Sequence, residues 1–194
     1  MPVLLVGARG SDDATTEALH ELLTQTTLPV VETYQGAGVI SRDLEEKTFF
    51  GRIGFFRNQV GDQLLAQSDL VVTVGYDAIE YEPRNWNKDA DLRIVALDTA
   101  AVQIDNNFTP ERQLIGALAD TLSVLKDKVA GYELPVASQN KLAELKAALR
   151  AADEPKYTPA DAGLNHPLNV IKSLQNHMTC LLYTSPSPRD RTRS

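Results

Sequence analysis

The sequence predicts a doubly wound α/β fold, one parallel sheet of five to six strands with helices on both faces. Three observations carry that expectation. Short aliphatic and β-branched runs such as Val3–Val6 and Leu70–Val74 end in glycines, Gly7 and Gly75. Segments with apolar residues at helical spacing alternate with these runs. The connections between them are short, which pairs successive strands in parallel across a sheet covered on both sides.

Each element follows from its residues. Val3 to Val6 reads as a buried parallel strand. After Ser11-Asp12-Asp13, the residues Ala14, Ala18, Leu19, Leu22 and Leu23 line one helix face, and the acidic start suits a helix N-terminus. Pro29-Val30-Val31 reads as a second strand. A helix near Asp62 to Gln67 precedes a third, Leu70 to Val74, and Ile94 to Leu97 with Asp98 reads as a fourth. Val102 to Ile104 is a candidate short fifth strand. Thr109 is placed as an N-cap with Pro110 at the first helical position. Leu114, Ile115, Leu118, Leu122, Leu125 and Val129 then form one stripe, with Gly131 as its stop. Ser138 to Ala151 is a charged helix with Leu142, Leu145 and Leu149 on one side. Residues 152–159 read as a linker with two prolines, and His166-Pro167 opens a further helix faced by Leu168, Ile171 and Leu174.

The composition excludes several classes. The chain has 194 residues, 43% of them hydrophobic, enough for one domain with a sizeable core. No apolar run approaches the roughly 20 residues of a membrane span. The start lacks a basic region and a cleavage site, so no signal peptide is expected, and a cytoplasmic location fits best. The net charge of -7 disfavours nucleic acid and anionic membrane as partners. The single cysteine, Cys180, excludes a disulfide framework within the chain. It lies in a terminal stretch, residues 180–194, that resembles the translated adaptor tails of some reading frames from assembled environmental DNA. That stretch is set aside from the fold.

Chemistry-bearing patterns are sparse. His20, His166 and His177 have no zinc spacing. A nucleophile elbow and a Walker phosphate loop are both absent from the sequence. Gly7-Ala8-Arg9-Gly10 sits where a dinucleotide fingerprint would, but its spacing is Gly-x-x-Gly, which favours a plain tight turn. Gly36-Ala37-Gly38 suits either a tight loop or close approach to a phosphate. Asp98, at a strand end, suits a turn or helix cap, or a ribose hydroxyl. Arg57-Asn58-Gln59 and Arg84-Asn85-Trp86 are loop segments that suit either a loop anchor or a subunit contact. The residues alone therefore lead to a parallel α/β domain with no visible catalytic set. A free-standing nucleotide-binding module stays open, resting on the Gly7 and Gly36 loops.

Several longer segments resemble one family. Leu28-Pro29-Val30-Val31-Glu32-Thr33-Tyr34-Gln35-Gly36-Ala37-Gly38-Val39-Ile40-Ser41-Arg42 is similar to the start of the middle domain of catabolic acetolactate synthases. So are Phe50-Gly51-Arg52-Ile53-Gly54 through Gly61-Asp62, and Ser68-Asp69-Leu70 through Gly75-Tyr76-Asp77 to Asn87. Pro110-Glu111-Arg112 and Gly131-Tyr132-Glu133-Leu134-Pro135 continue the likeness. Gly163-Leu164-Asn165-His166-Pro167-Leu168 resembles the entry to the third domain.

The resemblance implies a thiamine-diphosphate- and Mg²⁺-dependent enzyme of three α/β domains that joins two pyruvates into 2-acetolactate and CO₂. In that family the first domain supplies the activating glutamate. The third supplies a Gly-Asp-Gly segment and an asparagine for the metal and diphosphate. Neither pattern occurs in this chain, so no catalytic, cofactor-binding or metal-binding residue is assigned in it. Residues 1–150 are expected to be the middle domain, 151–160 a linker and 161–179 the opening of the third domain. The implied partners are the flanking domains of the same enzyme and further copies of it. Flavin-carrying relatives have Arg-Phe-Asp-Asp-Arg where this chain has Tyr76-Asp77-Ala78-Ile79-Glu80-Tyr81-Glu82, so FAD is not expected. The middle domain of another thiamine-diphosphate oxo-acid decarboxylase is the alternative within the family.

Overall fold

The computed structural model describes residues 1–55, 58–153 and 167–177. It divides into two compact units, Met1–Arg150 and Ala151–Ser194. In the first unit six strands form one sheet: β1 Pro2–Val6, β2 Val30–Thr33, β3 Phe49–Ile53, β4 Leu70–Val74, β5 Arg93–Asp98 and β6 Arg112–Ile115. Their order is β3-β2-β1-β4-β5-β6, and every pairing is parallel. The α helices of this unit are α1 Asp13–Gln25, α2 Arg42–Thr48, α3 Val60–Ala66, α4 Leu118–Val129 and α5 Val136–Asp153, which runs three residues past its boundary.

Alternation along the central strand sorts the core into two layers. Val3 and Leu5 face one layer with Val31, Phe50, Val71 and Ile94, closed by Leu64 and Leu65 of α3 and Leu142 and Leu145 of α5. Leu4 and Val6 face the other with Val30 and Val74, closed by Leu19, Leu22 and Leu23 of α1 and Leu118 and Leu122 of α4. A strand buried on both faces cannot alternate with polar residues, which is why β1 and β4 read as continuous apolar runs. Asp12 caps α1 by accepting the Thr15 N–H at 3.0 Å. Gln59 and Asp62 make a reciprocal capping box at the start of α3.

Helix α5 is fastened as well as packed. Lys146 donates to the carbonyls of Glu45 and Phe49 and lies 4.7 Å over the Phe50 ring. Its ammonium thus adds a second donor to the Glu45 carbonyl, which already accepts the Phe49 N–H, at the point where α2 runs directly into β3. Burial pulls the Lys146 pKa below the usual lysine value.

Three expectations are corrected. The helix placed from Thr109 begins only at Leu118, and Arg112–Ile115 forms the edge strand β6. Arg112 to Ile115 pair with Val95 to Asp98, and Glu111 N–H reaches Ile94 O at 2.8 Å. Ladder bonds and Gly116, a poor helix former, prevail over the Leu114–Leu118 spacing. Leu114 and Ile115 are 46% and 57% exposed, so they are no part of a core stripe. Val102 to Ile104 form no strand. Val102 packs against the core from a loop, its N–H held by Gln113 Oε1 at 3.1 Å. The charged helix expected from Ser138 spans Val136–Asp153, which takes Ala152 and Asp153 from the expected linker. The remaining linker residues and the terminal stretch from 178 lie outside the described residues.

In the second unit the described helix is α6, Pro167–His177, with Val170, Ile171 and Leu174 all more than two-fifths exposed. Among the described residues no helix is long and apolar enough to cross a membrane.

Candidate functional site

In a doubly wound sheet, ligands enter at the carboxyl ends of the strands, where the strand order reverses. Here the reversal lies between β1 and β4, the neighbours reached from opposite directions along the chain. The loops after β1 and β4 are pressed together there. Gly7 N–H bonds Val74 O at 3.0 Å and Arg9 N–H bonds Gly75 O at 3.1 Å. A Cβ on Gly7 would stand 2.6 Å from Tyr76 Cα, and one on Gly75 would stand 2.3 Å from Gly10 N. Gly7 and Gly75 thus serve contact between two loops, not approach to a ligand. The Gly36 loop is likewise a tight turn, its N–H on Thr33 Oγ1 at 3.0 Å.

Charged side chains of the chain itself fill the mouth. Arg9 clasps Asp98 with two bonds, Nε to Oδ1 at 3.0 Å and Nη2 to Oδ2 at 2.7 Å. It also reaches Asp77 Oδ2 and Tyr76 O, both at 2.7 Å. Asp98 is 3% exposed, and its Oδ1 also accepts the Thr99 N–H at 2.8 Å. Of the roles the sequence leaves open for Asp98, its turn role is met by Thr99. Arg9 occupies both carboxylate oxygens of Asp98. These pairings raise the Arg9 pKa beyond its already high value, the Asp98 bond being the largest cause. A hollow of about 290 Å³ remains beside them, between Ile79, Thr99 and Phe108.

On the other side of β1, the Glu80 carboxylate accepts from Ala8 N–H at 3.0 Å, Asp77 N–H at 3.3 Å and the Thr33 hydroxyl. Deeper along β2, Glu32 is 1% exposed and accepts from Arg52 Nε at 3.0 Å, Ile40 N–H at 3.2 Å and Gly38 N–H at 3.3 Å. Burial pushes the Glu32 carboxyl up from the ordinary range, and the Arg52 charge opposes that shift.

The two loop segments singled out in the sequence are anchors where they are described. Trp86 is buried, donates Nε1–H to Tyr76 Oη at 3.1 Å and meets the Tyr76 and Phe108 rings edge-on. Burial raises the Tyr76 pKa above the usual phenol value. Asn58 adopts φ 59°, its carbonyl accepts from Gln63 Nε2 at 3.2 Å, and Gln59 caps α3. Arg57 lies outside the described residues. Sequence reading gave Arg9, Thr33, Glu32 and Glu80 no role at this edge. The only available signal was the excess of carboxylates in Asp77 to Glu82 beside a loop with one arginine.

The comparisons with known proteins meet this geometry. Residues 1–125 match the family model described as thiamine pyrophosphate enzyme, central domain. The chain belongs to the thiamine pyrophosphate enzymes. Among curated relatives it is 42% identical over 178 residues to the acetolactate synthase of Bacillus subtilis (strain 168), covering 91% of this chain and 30% of that protein. It is 30% identical over 181 residues to the catabolic acetolactate synthase of Raoultella terrigena, covering 90% and 31% respectively. The chain thus spans about a third of the length of these relatives. As a central domain of thiamine pyrophosphate enzymes, it corrects the reading as a free-standing nucleotide-binding module. Its strand-end crevice is closed by its own loops and charges.

Arg9 is the residue on which this closure turns. Arg9→Met should cost about 2–3 kcal/mol, because it leaves a buried carboxylate unpaired while Arg9 itself is part-exposed. Urea denaturation at neutral pH measures the loss. The Ile79 N–H and then the Arg9 guanidinium hold the Asp77 carboxyl below its ordinary range. Stability from a depressed carboxyl is present above its unfolded pKa, about 3.9, and is lost as pH falls through the folded value. The gap between wild type and Arg9→Met should therefore narrow below about pH 4. A gap constant down to pH 2.5, on the order of 1.5 units lower, would contradict this account.

Proposed function

We propose that this chain is the central domain of an acetolactate synthase, whose whole subunit condenses two pyruvates to 2-acetolactate and CO₂. The observation that carries the reading is similarity to acetolactate synthases, 42% and 30% identical, along nine-tenths of the chain. The cofactors would be thiamine diphosphate, supplying the carbanion chemistry, and Mg²⁺. Among the described residues no group of three His, Cys, Asp or Glu is placed to hold a metal ion. No step of that chemistry is therefore assigned to this chain. Its part is to space and support flanking domains, residues 1–150 forming the central domain and 161–179 opening the next. Copies of the whole subunit would associate in the cytoplasm.

The same edge supports independence from flavin. A flavin dinucleotide carries a diphosphate that needs cations or free N–H groups. Arg9 is committed to Asp98 and Asp77, and the Ala8 and Asp77 N–H groups are committed to Glu80. The chain purified from cells supplied with riboflavin should be colourless, and calorimetric titration with FAD or ADP should give no heat of binding. Flavin absorbance near 450 nm, about the usual flavin maximum, co-purifying in stoichiometric amount would overturn this reading.

A further inference from the structure

The Glu80 carboxylate is held the way a bound anion is held. Its donors come from the carboxyl ends of three strands: Ala8 N–H after β1, the hydroxyl of Thr33 that ends β2, and Asp77 N–H after β4. The Thr33 hydroxyl accepts the Gly36 N–H at 3.0 Å, so its single proton is turned toward Glu80. Thr33 is fully buried and cannot turn to water instead. A Cβ on Gly7 would stand 3.0 Å from Glu80 Oε1, so the backbone around the carboxylate has room only for that group. Among the described residues no lysine or arginine forms an ion pair with Glu80. Its partners are oriented dipoles, the arrangement by which strand-end loops of this fold receive an anionic ligand. Glu80 is part-exposed, so the seat communicates with solvent.

We propose that these loops form an oxyanion site whose resident ligand is the chain's own Glu80, and that a free carboxylate or phosphate occupies it once that side chain is removed. The proposal extends the flavin-independent reading by stating what occupies the place of a diphosphate. Glu80 reaches partners 47 and 72 residues away in sequence, Thr33 and Ala8, so an anion that replaces it should restore both charge and closure.

The test is thermal melting of the full chain as wild type and as Glu80→Ala, in chloride, acetate and inorganic phosphate at matched ionic strength. Glu80→Ala should melt lower in chloride and regain about 3 °C with acetate or phosphate at about ten times the dissociation constant. Wild type should not respond, and adding Thr33→Val to Glu80→Ala should abolish the recovery. Equal responses in wild type and Glu80→Ala, or none in either, would overturn the proposal. If Glu80→Ala does not fold in chloride, it should refold from urea in phosphate or acetate, and failure in both would overturn it equally. A colourless wild type with an unresponsive Glu80→Ala removes the oxyanion site and leaves the central-domain reading standing. A yellow wild type would overturn the flavin-independent reading, and with it Glu80 as the resident ligand, while the central-domain family match stands.

Discussion

Gly75→Ala is expected to prevent stable folding. The added Cβ would lie 2.3 Å from Gly10 N and 2.5 Å from Arg9 C, both backbone atoms. Neither can rotate away, because Arg9 N–H is bonded to Gly75 O and Gly10 N–H to Gly7 O. Gly75 also has φ +58°, a left-handed conformation that costs an L-residue about 1 kcal/mol before any clash. Relief would require parting the loops after β1 and β4, with loss of the Arg9–Asp98 clasp they position. A total of about 4–5 kcal/mol is expected, close to the whole stability of a marginal domain. Far-ultraviolet circular dichroism and urea denaturation would show it. A variant within about 1 kcal/mol of wild type would mean the two loops are not in backbone contact.

The second large effect is catalytic and depends on the proposed function. The chain alone, given pyruvate, thiamine diphosphate and Mg²⁺, should form no acetolactate. Its strand-end donors are already paired, and among its described residues no carboxylate cluster stands ready for the metal. Inserted in place of the matching third of a related acetolactate synthase, it should support acetolactate formation that needs both cofactors and no flavin. Acid decarboxylation of the product to acetoin, followed by a colour assay, reads the result. Turnover by the chain alone would overturn the central-domain assignment. A folded chimera that binds both cofactors and yields no acetolactate would count against this acetolactate synthase reading.

The sequence made β1, β4 and β5 legible because strands buried on both faces cannot hide their apolar runs, and α1 because its apolar residues keep helical spacing. It concealed β3, where Gly51 and Arg52 interrupt Phe49 to Ile53 and no loop separates the strand from α2. It disguised β6, an edge strand whose Leu114 and Ile115 fall by chance in register with the helix that follows. The strand-end site was legible only as an absence of known phosphate patterns. What fills it depends on Arg9 meeting Asp98 across 89 residues and Glu80 meeting Ala8 across 72, and local spacing carries no trace of such meetings. The two asparagine-containing segments drew notice for composition, and the structure uses Trp86 and Gln59 as an anchor and a cap.

Lys146 bears on where such a domain can be cut and rejoined. The match to the family model ends at residue 125, within α4, yet the helix that seals one layer of the core and fastens the junction of α2 and β3 begins at Val136. A crossover just after α4 would join a sheet from one ancestor to a sealing helix from another. Leu142, Leu145 and Lys146 would then have to suit a foreign Phe49 and Phe50. A transplant that keeps this core closed therefore has to run through Arg150, the end of the first compact unit.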